Sequence, residues 1–424
     1  MKIRMALCGG MAALTLGAGT LAAAAPPHSI ADEAAGPHTT SDEAAPPQST
    51  SDEAAPPQST SDRAASLRSA LEGVHEAGVP GVFAEVRDSG HRFWRGASGA
   101  ADVATGRPVT PDMLQRVGSI TKTLTAAAIL QQAEQGRIRL DAPIADYLPD
   151  LVPGERGRKI TIRMLLNHTS GIPDYIRYAF PSLQVPSPKS LDDNRFRQFS
   201  RAELIELGVS APPAAEPGAA PGVYSNTNYL ILCQLLEKVT GERAEDYMTR
   251  NVILRAGLKH TYFPTGTQIK GPHARMYESL WGLIDPPRDY SVYNMSWVAG
   301  TADLVSTMDD LNRFFGKLLD GQIVSRASLA EMQRTTPVIE LDGSTSAYGL
   351  GLEKIDIPGC GTFWGNGGTV WGAGTMSMTR ADGGRQMSMA LNLMRWSKPD
   401  GQGNPQPHPI DGALKEWQEV ALCG

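Results

Sequence analysis

Three tandem ten-residue blocks, Ala31–Thr40, Ser41–Thr50 and Ser51–Thr60, divide this 424-residue chain into a part that cannot build a core and a part that must. The second and third blocks both read Ser-Asp-Glu-Ala-Ala-Pro-Pro-Gln-Ser-Thr, and none of the three holds an aromatic or a large aliphatic residue. Stacking such blocks would bury almost no apolar surface, against an ordering cost of about 1–2 kcal/mol per residue. Residues 26–62 are therefore expected to be a solvated linker. A stalk spanning a cell wall is the functional counterpart of that reading, and composition does not separate the two.

Ahead of the linker, Met1-Lys2-Ile3-Arg4 is basic, Met5 to Leu21 is apolar or small, and Ala22–Ala25 precedes Pro26. This is the pattern of an export signal, expected over 1–25. Gly9, Gly10, Gly17 and Gly19 interrupt the apolar stretch, which falls short of the ~20 strongly apolar residues of a membrane span. The formal net charge of −6 belongs mostly to this N-terminal region, where Lys2 and Arg4 face six carboxylates before residue 60. The remainder is close to neutral and has no basic run, so the electrostatic footprint of a nucleic-acid binder is missing. A hydrophobic content of 41% still leaves ample material for a core after the linker.

Beyond the linker, Leu67, Ala70, Leu71 and Val74 recur at helical spacing from Asp62 to Gly78. Gly81 to Arg87 then alternates as a strand, Asp88-Ser89-Gly90 is a turn, and His91 to Gly96 returns. Helices are predicted over Ser119–Gln135 and Tyr229–Val239, and a third carries Leu311, Phe314, Phe315, Leu318 and Leu319. Thr307 and Asp310 fit a capping box before this third helix. Strands are predicted at Tyr348–Leu352, Thr362–Trp364, Thr369–Thr379 and Gln386–Asn392, followed by a closing helix over Asp411–Leu422. Strands at both ends with helices between them predict an α/β (α+β) fold: an antiparallel sheet from both termini, flanked by helices, with a helical lobe inserted at roughly 120–310.

Ser119-Ile120-Thr121-Lys122 sets a hydroxyl and an ammonium on one face at a helix start. A serine hydroxyl becomes a nucleophile when a neighbouring base takes its proton, and a lysine serves as that base when its pKa is lowered. Alone, the pattern equally describes an N-cap serine on a surface helix. Two further segments follow in order: Tyr224-Ser225-Asn226 at a turn before a helix, and Gly365-Asn366-Gly367-Gly368-Thr369 in a glycine-rich strand start. Together the three resemble the motifs of the serine β-lactamase and penicillin-binding-protein superfamily. More narrowly they resemble its class C β-lactamase and secreted actinobacterial D-alanyl-D-alanine carboxypeptidase branch. Leu165–Ile172 and Ala299–Leu304 resemble stretches frequent there, and the resemblance runs from about Leu67 to Gly424.

The resemblance implies a β-lactamase/transpeptidase-like fold over 63–424, with Ser119 as the acylated nucleophile and Lys122 as its proton partner. Tyr224 would be the general base, its phenolate favoured by the neighbouring ammonium. Asn226 would bind the acyl-side amide of a substrate, and the backbone N–H groups of Ser119 and Thr369 would form the oxyanion hole. His168 is read as a structural turn residue. Of the cysteines after the export signal, Cys233 lies among Leu230, Ile231, Leu232 and Leu235 and is expected to be a buried thiol. Cys360 and Cys423 are then expected to pair, which matches where the secreted carboxypeptidases carry a disulfide.

Two departures from the family stand out. Its third motif usually begins His-Thr-Gly or Lys-Thr-Gly, whereas Asn366-Gly367-Gly368 supplies neither the charge nor the hydroxyl that hold a substrate carboxylate. After Tyr348–Leu352, where the carboxypeptidases place an arginine, this chain has Glu353, with Lys354 predicted on the opposite strand face. Glu353, Asn366, Gly367, Gly368, Thr369 and Asn226 are thus the expected substrate-binding set. The expected function is that of a secreted, monomeric serine hydrolase acting on D-amino-acid peptides or amides, without cofactor or metal, and acylable by β-lactams. Peptidoglycan-derived peptides would be natural substrates. An esterase, a class C-like β-lactamase and a non-catalytic β-lactam or muropeptide receptor are the alternatives.

Overall fold

The computed structural model describes residues 59–185, 187–401 and 405–424; the expected export signal and the linker up to residue 58 lie outside these. Helix α1 (Thr60–Glu76) begins inside the last repeat, two residues earlier than periodicity indicates. The Ser59 hydroxyl is what sets the boundary, accepting from Asp62 N at 3.1 Å. Leu67, Ala70, Leu71 and Val74 form its buried stripe, as their spacing predicts.

Eight strands make the body of one sheet: β1 (Gly81–Asp88), β2 (His91–Asp102), β3 (Thr336–Ile339), β4 (Thr345–Tyr348), β5 (Glu353–Ile357), β6 (Gly361–Val370), β7 (Ala373–Arg380) and β8 (Arg385–Leu391). Their order is β2-β1-β8-β7-β6-β5-β4-β3, with Arg107–Pro108 added beyond β2 and Gly222–Val223 beyond β3. The eight pair antiparallel; Gly222–Val223 joins β3 in parallel. N- and C-terminal chain segments meet at β1 and β8, where Val82 lies opposite Leu391.

The other long helices are α2 (Ile120–Glu134), α3 (Asn226–Thr240), α4 (Met308–Leu319) and α5 (Pro409–Cys423). One face of the sheet is covered by α1 and α5, whose Leu414, Trp417 and Ala421 join the α1 stripe in one apolar cluster. The opposite face is covered by α4 and α2. Because both faces are covered, every residue from Gly81 to Arg87 is buried, and the alternation read in the sequence does not become an in/out pattern. The lobe between β2 and β3 packs α2 and α3 with shorter helices, and includes two-residue strands such as Tyr277–Glu278 and Val305–Ser306.

Three local expectations are corrected. Tyr348–Leu352 is not a strand: β4 ends at Tyr348 and residues 349–352 turn, with Gly351 at φ +71°. The strand expected over Thr369–Thr379 is broken at Trp371-Gly372, where Gly372 (φ +73°) makes the hairpin between β6 and β7. Half of the capping box forms: Thr307 accepts from Asp310 N, but the Asp310 carboxylate turns to His260 N (2.6 Å) and Thr261 Oγ1 (2.9 Å). Helix α3 also starts at Asn226 rather than Tyr229, which brings the second motif into its first turn.

Cys360, in the turn before β6, is bonded to Cys423 at the end of α5, with Cα atoms 5.2 Å apart. Cys233 is buried and free; burial pushes its thiol up to about 12 and it donates to Gly300 O at 3.3 Å. No helix among the described residues is long and apolar enough to cross a membrane.

Candidate active site

Ser119 stands at the N-cap of α2, yet its side chain makes no capping hydrogen bond, so the hydroxyl is left for other partners. Lys122, one turn on, reaches it with Nζ at 2.9 Å, and the Tyr224 hydroxyl donates to the same Oγ at 2.9 Å. Lys122 also donates to Asn226 Oδ1 at 2.7 Å and to Thr301 O at 3.4 Å. The structure thus gathers Ser119, Lys122, Tyr224 and Asn226 from α2, the segment after Gly222–Val223, and the first turn of α3. Tyr224 is held from the sheet side, its N–H donating to Ile339 O of β3 at 2.9 Å.

Electrostatics separates the two candidate bases. Lys122 is fully buried, and burial lowers its pKa to about 7 against the pull of Asp174, Glu340 and Glu353. The positive end of the α2 dipole acts in the same direction as burial. Burial first, and Glu340 second, push the Tyr224 phenol well above its ordinary value. The phenolate that the family resemblance implies at Tyr224 is disfavoured by these surroundings, since burial and Glu340 hold the proton on the phenol, while Lys122 is poised to change charge near neutrality. A free amine there can give its two N–H groups to the acceptor oxygens of Asn226 and Thr301. Its lone pair is then left for the Ser119 proton.

Strand β6 passes the start of α2 at a separation that only glycines allow. A Cβ on Gly368 would lie 2.7 Å from Ser119 N and inside contact with Val117 O, while Gly118 (φ +56°) would drive one into Thr369 N. This approach brings the backbone at Gly368-Thr369 against that at Gly118-Ser119, the close contact that the expected oxyanion hole would need. Gly368→Ala is expected to lower kcat by at least about a hundredfold, with little change in KM, by pushing the two donors apart. Steady-state kinetics on an activated ester checks this.

The remaining expected residues divide. Glu353 opens β5 opposite Gly365, and its half-buried carboxylate accepts from Gly367 N. Burial and the neighbouring Glu340 raise the Glu353 carboxyl well above the usual range. Lys354 turns to Asp356 at 2.7 Å and does not reach this pair. Asn366 is not brought to the Ser119 group: it is 1% exposed, and its amide donates to Thr123 Oγ1 (3.2 Å) and Gly351 O (3.4 Å). With β6 pressed against α2, that side chain faces the helix. His168 (φ +61°) accepts at Nδ1 from Ser225 N and Asn228 Nδ2 and lies against the Tyr224 ring, centroids 4.2 Å apart. Burial and Lys122 push the imidazole well below its ordinary pKa, so it wedges the tyrosine as a neutral ring.

Sequence reasoning missed Glu340 and Asp174. Glu340, just after β3, accepts from Ser346 Oγ and is raised to about 7, chiefly by burial. Asp174 accepts from Asn226 Nδ2 at 2.6 Å. Asp174 lies two positions beyond the Leu165–Ile172 stretch that the family resemblance picks out, so extending that stretch was the available signal.

A serine hydroxyl bonded by a buried lysine and a tyrosine, at a helix start pressed against a glycine-rich strand, is the arrangement of a serine hydrolase of the β-lactamase/transpeptidase type. The family model described as Beta-lactamase matches residues 67–408, and the chain belongs to that family. Among solved structures, it is similar to a D-stereospecific amidohydrolase from Streptomyces sp., with a TM-score of 0.72 and 32% identity over 85% of this chain and 99% of that one. The D-amino acid amidase of Ochrobactrum anthropi SV3 shares the fold, with a TM-score of 0.70 and 24% identity over 85% and 97% of the two chains. Among curated relatives, it is similar to "Putative penicillin-binding protein PbpX" of Bacillus subtilis, 29% identical over 56% of this chain and 52% of that protein. "Penicillin-binding protein 4*" of the same organism is 26% identical over 70% and 64%. The matches thus span about half to two thirds of the length of these two relatives.

Proposed function

We propose that this chain is an exported hydrolase for amides or peptides of D-amino acids, working through an acyl-enzyme on Ser119. The observation that carries the substrate class is the charge beside the cleft: Glu353 stands where the carboxypeptidase branch places an arginine, and Asn366 brings no charge to the third motif. A terminal carboxylate would find no arginine or lysine beside Glu353 and Glu340 to hold it, whereas an amide or an amine-bearing substrate needs none. The likeness to a D-stereospecific amidohydrolase supports the same class.

In the reaction, Ser119 Oγ bonds to the substrate carbonyl carbon as its proton passes to the Lys122 amine. The carbonyl oxygen takes the negative charge toward the Ser119 and Thr369 N–H groups. Collapse of this intermediate breaks the C–N bond; the departing nitrogen takes a proton from the Tyr224 hydroxyl, which recovers one from the Lys122 ammonium. Water then cleaves the ester in the reverse sense. Asn226, beside Ser119 through Lys122, is suited to the acyl-side carbonyl. The disulfide fits an oxidising compartment, in line with an export signal at 1–25 and a linker ahead of a catalytic unit at 63–424.

Hydrolysis of D-phenylalanine amide, L-phenylalanine amide and an acetylated D-Ala-D-Ala free acid tests the reading. The D-amide should exceed the free acid in kcat/KM by at least about tenfold, the equivalent of ~1.4 kcal/mol. Preference for the free acid, or for the L-amide, overturns it.

A further inference from the structure

The two faces of the Asn226 side chain are both occupied, and by opposite chemistry. Its Oδ1 receives Lys122 Nζ at 2.7 Å; its Nδ2 donates to Asp174 Oδ2 at 2.6 Å, and its backbone N–H reaches the same oxygen at 3.3 Å. The other Asp174 oxygen is fixed by Ile176 N at 2.8 Å. Burial raises the Asp174 carboxyl, but backbone N–H groups donate to both of its oxygens, so both accept here and the amide edge that faces them is the NH2 edge. The edge facing Lys122 is then the oxygen.

That choice decides what Lys122 can do. With Asn226 Oδ1 and Thr301 O accepting its two N–H groups, the neutral amine has its lone pair directed at Ser119. With the amide turned over, Nδ2 would donate into that lone pair and the amine could not take the serine proton. Steric fit does not choose between the two orientations, because the amide edges are nearly the same size; the carboxylate does.

We propose that Asp174 is a positioning residue that holds the Asn226 amide with its oxygen toward Lys122, keeping the amine lone pair free for Ser119. It acts through Asn226 and touches no reacting atom. The inference rests on the Ser119 acyl-enzyme reading and adds to it the device that arms the base.

The charged and titratable groups facing Lys122 are Asp174, Glu340 and Glu353, with Cys233, His168, Tyr224 and Tyr229 around them. Asp174 is joined to Lys122 by hydrogen bonds through a single side chain, that of Asn226. Its removal therefore takes away both the orientation and one nearby negative charge. Both changes disfavour the Lys122 ammonium and shift the acid limb of the pH–rate profile the same way.

The test compares Asp174→Asn and Asp174→Ser, both neutral, with Asp174→Glu, which restores the charge; active enzyme is counted by fluorophosphonate labelling. With an activated ester and an amide, each with a free and an acetylated α-amine, either neutral variant that folds should lose at least about tenfold in kcat on all four substrates. The acid limb of its kcat/KM profile should move down by about one pH unit, and Asp174→Glu should return it toward the wild-type position. An acid limb that stays in place in the neutral variants overturns the proposal. A loss confined to substrates with a free α-amine also overturns it, since Asp174 would then be contacting substrate. Wild-type protein that takes no fluorophosphonate on Ser119 would instead refute the underlying reading, a distinct result.

Discussion

Ser119→Ala is expected to abolish covalent labelling by fluorophosphonate and to lower kcat by roughly a millionfold, the loss found when a serine hydrolase is stripped of its nucleophile. The structure gives a reason to expect so complete a loss. Lys122 and Tyr224 converge on this one oxygen, and no other hydroxyl is bonded by both among the described residues. Because Ser119 does not cap α2 with its side chain, the substitution removes no helix-stabilising bond. The variant should therefore stay folded and still bind substrate, separating chemistry from stability. Intact-mass spectrometry after labelling, with thermal unfolding alongside, checks both halves. A labelled Ser119→Ala protein would place the nucleophile elsewhere.

The second large effect belongs to Lys122. With its pKa lowered to about 7, the amine is the competent form above that pH and the ammonium the incompetent form below it. Thus kcat/KM should be level in the mildly alkaline range and fall about tenfold per unit as pH drops below about 7. Lys122→Met keeps the length of the stem and removes the base. It should cost about a thousandfold or more in kcat and remove the lysine's acid limb from the residual rate. A phenolate mechanism at Tyr224 predicts otherwise, because burial and Glu340 drive that phenol upward and its limb would lie far on the alkaline side. Stopped-flow acylation by an activated ester between pH 5 and 10 distinguishes the two. An acid limb that survives unchanged in Lys122→Met would reject the lysine as the base.

Much of the scaffold is legible one element at a time. The α1 stripe, the β1 and β8 strands and the closing helix all appear where periodicity puts them, because each buries its apolar residues over several turns or a full strand. The errors fall at glycines. Residues 349–352 and Trp371-Gly372 carry apolar or aromatic side chains that look like strand, and only the positive φ of Gly351 and Gly372 turns the chain there. Asp310 was misplaced for a related reason: its partners, His260 and Thr261, are distant in sequence and invisible to a local capping rule.

From the residues alone one could say which side chains would be brought together. Ser119 and Lys122 meet because a helix brings i and i+3 together, and the order of the three short segments named their companions. Their protonation, their orientation and the charge around the cleft were decided only by the tertiary structure. Burial lowers Lys122 and raises Tyr224, β6 turns Asn366 toward α2, and Glu340, from a segment that no motif marks, joins the site. The physical reason is one of range. A helical turn or a strand repeat is written in neighbouring residues, whereas desolvation and the partner of a hydrogen bond depend on what the rest of the chain folds against that point.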